Sequence, residues 1–277
     1  MSRTTMTLAA AALTAVGLLV PTGAGAAPAE RTPTAEARSA GVTGPGEAAM
    51  GWKRNDVQQT PKRSAAAVTA TPPGVPGIDV SSWQGRVDWA AQWNAGKRFA
   101  YVKATEGSTY TSPTFGHQYT GSYAQGMIRG AYHFALPNSS SGTTQANHFV
   151  DHGGGWSADG KTLPGALDME WNPYGDTCYG KTQAQMRTWV NDFLNRYRSR
   201  TGRYPVIYTA TSWWNKCVGG DTSFAAKSPL WLARYASAPG TKPAGWSTYS
   251  FWQYSTTPVD QNVWNGTLTR LRYFAKH

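Results

Sequence analysis

Residues 163–171 read Leu-Pro-Gly-Ala-Leu-Asp-Met-Glu-Trp, an apolar run that ends in two carboxylates. The run predicts a buried β-strand, in which residues two positions apart point to the same face, so Asp168 and Glu170 share one side. Charges are rarely buried without a partner, because desolvation is expensive. Two acids on one face at the end of a strand are the arrangement that acid/base glycoside chemistry requires.

Strand and helix patterns alternate on both sides of this run. Five apolar segments predict strands, at 77–80, 99–104, 128–134, 163–170 and 205–209. The helical candidates between them lie at 87–94, 112–125, 142–152, 182–199 and 212–217. The clearest is 182–199, which has apolar residues at three- and four-residue spacing, a capping box at Thr182 and Gln185, and Gly202 after its end.

Three more strands are predicted at 230–235, 249–254 and 268–274, joined by segments rich in Pro, Gly, Thr and Asn that do not look helical. Alternating strands and helices indicate parallel βαβ units. The expected fold is therefore α/β, a single modified TIM-like barrel with about five β/α units followed by three strands lacking helices. The active site of such a barrel lies where its strands end.

Acidic, aromatic and amide side chains fall at these predicted strand ends. Asp79 joins Asp168 and Glu170 there, and the side chains expected to bind substrate are Lys103, Tyr132, Trp171, Tyr208, Trp231, Tyr235, Trp252 and Gln253. Aromatic rings stack on the apolar faces of sugars while polar groups bind hydroxyls, so a sugar polymer fits this lining. A strand tryptophan belongs to the core more often than to a sugar platform. Lys103 is expected to hold a carboxylate, and His133 to be a core histidine or an acid's partner.

The first 76 residues differ in composition from the rest. Residues 1–27 combine Arg3, an apolar run at 8–20 and an Ala-Gly-Ala site, and so predict a secretory signal peptide cleaved near Ala26 or Ala27. Residues 28–76 are rich in Ala, Pro, Thr, Gly and Arg and predict a disordered pro-segment or linker. Residues 77–277 form the barrel domain of a secreted, extracellular and monomeric protein with no predicted membrane span.

The charge balance and the cysteine content limit which binding partners and cofactors the chain is expected to have. From Gly77 onward, 19 Lys and Arg oppose 11 Asp and Glu, which favours attraction to a polyanion such as an acidic cell-wall polymer. No nucleic-acid motif accompanies this charge, so nucleic acid is not expected. The two cysteines, Cys178 and Cys217, predict a disulfide in an exported chain. The histidines show no zinc-ligand spacing with them, and neither a metal nor a cofactor is expected.

Five ordered motifs resemble glycoside hydrolase family 25, the lysozymes that cut bacterial peptidoglycan. They are Gly-Ile-Asp-Val-Ser-Ser-Trp-Gln at 77–84, Tyr-Val-Lys-Ala-Thr-Glu-Gly at 101–107, Arg-Gly-Ala-Tyr-His-Phe at 129–134, Ala-Leu-Asp-Met-Glu at 166–170 and Phe-Trp-Gln-Tyr at 251–254. The resemblance implies an N-acetylmuramidase that hydrolyses the β-1,4 bond between N-acetylmuramic acid and N-acetylglucosamine. It also implies that Glu170 is the general acid and that Asp168 stabilises the oxocarbenium or acetamido intermediate, with net retention favoured. Asp79 and Asp260 match the family's other two acidic positions.

Other interpretations of the same residues stay open. Asp168 and Glu170 can form a structural ion-pair node, and Asp79 and Asp260 can simply shape turns. The alternative function is a non-catalytic secreted module that binds the cell wall through the same cleft. A longer chitinase-type acidic run is excluded, because Leu163 and Ala166 occupy its upstream positions.

Overall fold

A computed structural model of the chain describes Met1, residues 31–53 and residues 71–277. The predicted signal peptide, apart from Met1, lies outside the described residues. Within the described ranges, no helix is long and apolar enough to cross a membrane.

Parallel strands form most of a closed barrel. The strands of the described residues are β1 (Val75–Val80), β2 (Phe99–Glu106), β3 (Tyr110–Thr111), β4 (Ile128–Phe134), β5 (Ala166–Asp168), β6 (Val206–Thr209), β7 (Leu230–Ala233), β8 (Phe251–Ser255) and β9 (Gln261–Trp264). Eight of them close in the order β1-β2-β4-β5-β6-β7-β8-β9, with β9 antiparallel to both β8 and β1. The short β3 pairs only with the end of β2.

Helices follow the first five barrel strands and cover the outside. The α-helices of the described residues are α1 (Ala35–Ser39), α2 (Trp89–Asn94), α3 (Phe115–Ala124), α4 (Gly142–Phe149), α5 (Gln183–Thr201), α6 (Thr211–Cys217) and α7 (Leu268–Lys276). Helices α2 to α6 come after β1, β2, β4, β5 and β6 in turn, and none separates β7, β8 and β9. The predicted series of five β/α units and three strands without helices is therefore confirmed. The capping box of α5, at Thr182 and Gln185, is present as predicted.

The position of the last strand was predicted wrongly. Residues 268–274 belong to helix α7, and the eighth barrel strand is β9, in a segment that was predicted to be a loop. The Thr267 side chain accepts a hydrogen bond from the Arg270 amide and caps α7, whose buried residues Leu271 and Ala275 are four apart. That spacing is helical, since residues i and i+4 share a helix face.

Residues 31–53 differ from the prediction of a disordered linker. They contain α1, which is capped by the Thr34 side chain, and they pack against the barrel with Met50 and Trp52 buried. Residues 54–70, the remaining middle of the predicted linker, lie outside the described residues.

The predicted disulfide is present. Cys178 and Cys217 are bonded across a sequence separation of 39 residues, with their Cα atoms 5.3 Å apart. The bond ties the loop that follows Glu170 to the end of α6. It thereby restrains the chain on one side of the barrel mouth.

Candidate active site

Asp168 and Glu170 lie together at the carboxyl end of the barrel. Asp168 is the last residue of β5, which ends two residues earlier than predicted, and Glu170 follows just past it. Both side chains are buried, at 0 % and 2 % exposure. Glu170 Oε1 accepts a hydrogen bond from the Gly51 amide at 2.7 Å. No amide, hydroxyl or ammonium donor of the described residues reaches Glu170 Oε2 or either carboxylate oxygen of Asp168.

The surroundings of Asp168 and Glu170 shift the pKa values of the two carboxyl groups. Burial raises the pKa of both carboxyl groups well above the usual range, because it penalises the charged form. The positive charge of Lys103 then lowers the pKa of Asp168, whereas the negative charge of Asp168 raises that of Glu170. The largest charge effect therefore lowers the pKa of Asp168 and raises that of Glu170.

Asp79 enters the site from β1 and is held by two amides. Its Oδ2 accepts hydrogen bonds from Gln253 Nε2 at 2.9 Å and from Asn262 Nδ2 at 2.6 Å. Burial raises the pKa of Asp79 from 3.8 to about 7, and the two amide donors lower it in part. Asp79 is thus a fixed carboxyl group that titrates near neutral pH.

A second layer of hydrogen bonds orients those two amides. Tyr208 and Tyr235 both donate their hydroxyl hydrogens to Gln253 Oε1, at 2.6 and 2.8 Å, which turns the Gln253 NH₂ group toward the carboxylate. Trp231 Nε1 donates to Asn262 Oδ1 at 2.8 Å and orients that amide likewise. Three residues that were predicted to bind substrate therefore orient the two amides that hold Asp79. They are Tyr208, Trp231 and Tyr235.

Lys103 pairs with a carboxylate, as predicted. The fully buried Lys103 ammonium lies 2.6 Å from Glu106 Oε2, and it also donates to the carbonyl oxygens of Gly46, at 3.0 Å, and Ala48. Glu106 Oε1 accepts the hydroxyl hydrogen of Tyr174 at 2.5 Å. These bonds hold a buried ion pair beside the catalytic candidates.

The other predicted residues occupy varied places. Tyr132 is buried in the site, where its hydroxyl accepts the Met50 amide at 3.4 Å, and Asp260 contributes its main-chain oxygen to the Asp79 amide at 3.4 Å. Trp171 is buried directly after Glu170. In contrast, Trp252 packs in an outer cluster with Leu230, Leu232, Tyr254 and Val263. Its assignment as a substrate-binding residue was wrong, because it points to the opposite face of β8 from Gln253.

His133 is a satisfied core residue, as favoured. Its Nδ1 and Nε2 pair with Thr105 Oγ1 at 2.8 Å and Gln145 Oε1 at 3.0 Å, and its ring lies against Phe149 and Phe193. Burial lowers its pKa to about 3, so the imidazole is neutral. His133 is therefore a neutral, hydrogen-bonded core residue at ordinary pH.

Sequence reasoning missed three contributors to the site. Asn262 was assigned to a turn because β9, a four-residue strand defined by its pairing with distant segments, was not recognised. Trp83, 52 % exposed at the rim, stands in a quoted motif but received no role. The segment around Gly51 carries no local signal of its position, because its place in the site depends on contacts with residues far along the chain.

Carboxyl groups at the mouth of a β/α barrel are the usual machinery of a glycoside hydrolase. The sequence profile of Glycosyl hydrolases family 25 matches residues 78–263, and the chain belongs to that family. It is accordingly a glycoside hydrolase.

Two curated relatives are similar over most of their length. Lysozyme M1 of Streptomyces globisporus is 49 % identical over 245 residues, which is 84 % of this chain and 83 % of the relative. An N,O-diacetylmuramidase of Chalaropsis sp is 47 % identical over 211 residues, or 73 % of this chain and 99 % of the relative. The crystal structure of a bacterial lysozyme from Streptomyces coelicolor superimposes with a TM-score of 0.73 at 53 % identity, covering 74 % of this chain and 99 % of its own.

Proposed function

We propose that the chain is a secreted muramidase that hydrolyses the β-1,4 bond between N-acetylmuramic acid and N-acetylglucosamine in bacterial peptidoglycan. The observation that carries the proposal is the buried Asp168–Glu170 pair at the carboxyl end of the barrel, in which the largest charge effect raises the pKa of Glu170 and lowers that of Asp168. The lysozyme and muramidase names of relatives at 47–49 % identity support the substrate class.

Glu170 is the proposed general acid. A general acid must hold its proton at working pH, and both burial and the neighbouring Asp168 raise the Glu170 pKa. Protonation of the glycosidic oxygen makes the departing sugar a better leaving group. Glu170 loses this ability when it ionises, so activity should fall as the pH rises through its raised pKa.

Asp168 is the proposed stabiliser of the charge that builds on the sugar. Its two buried oxygens receive no amide, hydroxyl or ammonium donor from the described residues, so they are available to a donor on the substrate. The N–H of an acetamido group is such a donor, and an acetamido group held in this way can attack the anomeric carbon in place of an enzyme nucleophile. That route passes through two displacements and gives net retention.

Asp79 and Asp260 are the remaining acidic members of the proposed site. Asp79 is fixed by Gln253 and Asn262, and its negative charge raises the pKa of Asp168. Titration of Asp79 near pH 7 therefore affects how readily Asp168 ionises. Asp260 is placed beside it by the hydrogen bond from the Asp79 amide to the Asp260 main-chain oxygen.

The test is incubation of the protein with a suspension of bacterial cell walls. A muramidase clears the suspension and releases chains whose new reducing ends are muramic acid. Reducing ends that are all N-acetylglucosamine would overturn the proposed bond specificity. Binding without new reducing ends, in the Gly51→Ala variant described below as well as in the wild type, would favour the non-catalytic wall-binding module. Proton NMR of the first-formed anomer tests retention, which an inverted product would contradict.

Attraction to the wall is proposed to rest partly on charge. The full chain has a formal net charge of +11, which favours acidic wall polymers. Surface charges are screened by salt, so wall affinity measured by sedimentation should fall as ionic strength rises. A wall affinity that does not change with ionic strength would contradict this electrostatic contribution.

A further inference from the structure

Residues 31–53 lie across the carboxyl end of the barrel. The buried side chains of this segment that join the barrel's core cluster are Ala37, Val42, Ala48, Met50 and Trp52. The Trp52 indole donates its Nε1 hydrogen to the Trp171 carbonyl at 3.0 Å, and the Thr34 amide donates to the Pro173 carbonyl at 2.9 Å. The segment is thus bonded to the loop that follows Glu170 at both of its ends.

The main chain of the segment is hydrogen-bonded to the candidate catalytic groups themselves. The Gly51 amide donates to Glu170 Oε1 at 2.7 Å, and the Gly51 carbonyl oxygen lies 3.3 Å from the Tyr235 hydroxyl oxygen. One residue earlier, the Met50 amide donates to the Tyr132 hydroxyl at 3.4 Å. A sugar that needs Glu170 must therefore displace a peptide group from it.

The segment also supplies hydrogen-bond partners to the buried Lys103–Glu106 ion pair beside the candidate active site. The Lys103 ammonium donates to the carbonyl oxygens of Gly46 and Ala48, and the Gly46 amide donates to Glu106 Oε1 at 3.1 Å. Buried charges are costly without such partners. These bonds favour the state in which the segment stays in the cleft.

Little space remains once the segment is in place. The cavity left between the segment and the rim residues Trp83, Gln84 and Asp260 measures about 120 Å³. Sites for small molecules typically measure about 300–1,000 Å³. The cavity is therefore too small to hold a stretch of polysaccharide, and neither Asp168 nor Glu170 lines it.

We propose that residues 31–53 are an intramolecular inhibitor, which keeps the hydrolase inactive until the segment leaves the cleft. The inference goes beyond the proposed function and rests on it only where hydrolysis is the readout. The solved Streptomyces coelicolor lysozyme matches over 99 % of its own length while covering 74 % of this chain, about the length of residues 77–277 alone. A barrel of this family thus exists without such a segment.

Two glycines give a way to expel the segment without touching the barrel. Gly51 has φ +75°, and a Cβ there would lie 1.9 Å from the Tyr235 hydroxyl oxygen. Gly46 has φ +86°, and a Cβ there would lie 2.0 Å from Cε2 of the Tyr110 ring. Gly44 offers the matched control, because a Cβ there meets no atom within 4 Å.

The experiment compares Gly51→Ala, Gly46→Ala and Gly44→Ala in the chain that retains residues 31–53. Left-handed strain alone disfavours an alanine by on the order of tenfold, and the overlap adds to it. Clearing of a wall suspension should therefore accelerate at least about tenfold in the first two variants and stay at the wild-type rate in Gly44→Ala. Equal rates in all four proteins would overturn the inhibitor.

Hydrogen exchange separates this inference from the proposed function. Peptides spanning residues 42–52 should exchange slowly in the wild type and in Gly44→Ala, and rapidly in Gly51→Ala. If exchange separates the variants but none of them clears walls, occlusion of the cleft stands and the proposed hydrolysis fails. If neither exchange nor clearing separates them, the inhibitor is wrong.

Adding the segment back gives the complementary measurement. A synthetic peptide of residues 31–53 should slow wall clearing by the Gly51→Ala protein. The same peptide carrying the Gly51→Ala change should not, because its alanine meets the Tyr235 hydroxyl. Inhibition by both peptides to the same extent would contradict binding in the observed geometry.

Discussion

Replacing Asp79 with asparagine should change how the stability of the protein depends on pH. Asp79 is 1 % exposed, and burial raises its pKa from 3.8 to about 7. The folded state therefore binds the proton more tightly than the unfolded state does. Stability from this group is fully present below the unfolded pKa and is lost as the pH rises through the folded pKa.

The size of the effect follows from these two pKa values. Between about pH 5 and about pH 8, linkage gives a loss of about 2.5 kcal/mol of unfolding free energy from Asp79 alone. Asparagine has nearly the same shape, and its carbonyl oxygen can still accept the hydrogen bonds from Gln253 and Asn262. The Asp79→Asn variant should keep the packing and lose the titration.

Urea unfolding near pH 5 and near pH 8, followed by tryptophan fluorescence with the disulfide intact, measures the difference. The decrease in unfolding free energy between the two conditions should be about 2.5 kcal/mol smaller in Asp79→Asn than in the wild type. Asp221→Asn is the control: a hydrogen bond from the Ser223 amide lowers the Asp221 pKa, so that carboxyl is ionised at both conditions. Equal decreases in Asp79→Asn and the wild type would refute a raised pKa at Asp79.

The disulfide, the buried lysine and the carboxyl pair each give a further measurable outcome. Replacing Cys178 and Cys217 with serine should cost about 4 kcal/mol of unfolding free energy, given their separation of 39 residues, and an unchanged urea midpoint would contradict this. Lys103→Met leaves its buried carboxylate uncompensated and should cost about 3–5 kcal/mol; a thermal scan identical to the wild type would contradict it. Asp168→Asn removes a charge that raises the Glu170 pKa, so the basic limb of residual activity should move to lower pH, and a shift to higher pH would argue against the coupling.

The elements that the sequence predicted well carry their own local signals. Helix α5 has a capping box at one end, Gly202 at the other and a regular apolar face between them. Strand β9 has only four residues, two of them amides, and it is defined by pairing with β1 and β8. Pairing between distant segments leaves no local pattern, so β9 was missed and α7 was taken for the last strand.

The candidate site likewise contains residues that could be assigned from the sequence and residues that could not. Asp79, Asp168 and Glu170 could be assigned because acids at the ends of barrel strands converge by construction. Trp252 was misplaced because adjacent strand residues face opposite sides, and only one of Trp252 and Gln253 can enter the barrel. The role of the segment around Gly51 could not be predicted from the sequence. Its few apolar residues pack against a surface that exists only once the barrel has folded.

The most direct test of the central claim is the turnover on peptidoglycan of Glu170→Gln made in the Gly51→Ala protein, in which residues 31–53 are expected to leave the cleft. The glutamine keeps the size of the side chain and cannot donate an acidic proton, so kcat should fall by roughly 10²–10⁴-fold while sedimentation shows unchanged binding to walls. Asp192→Asn in the same protein, an exposed change on α5, should retain the rate of Gly51→Ala alone. Turnover close to that of Gly51→Ala alone would contradict the role of Glu170 as the general acid.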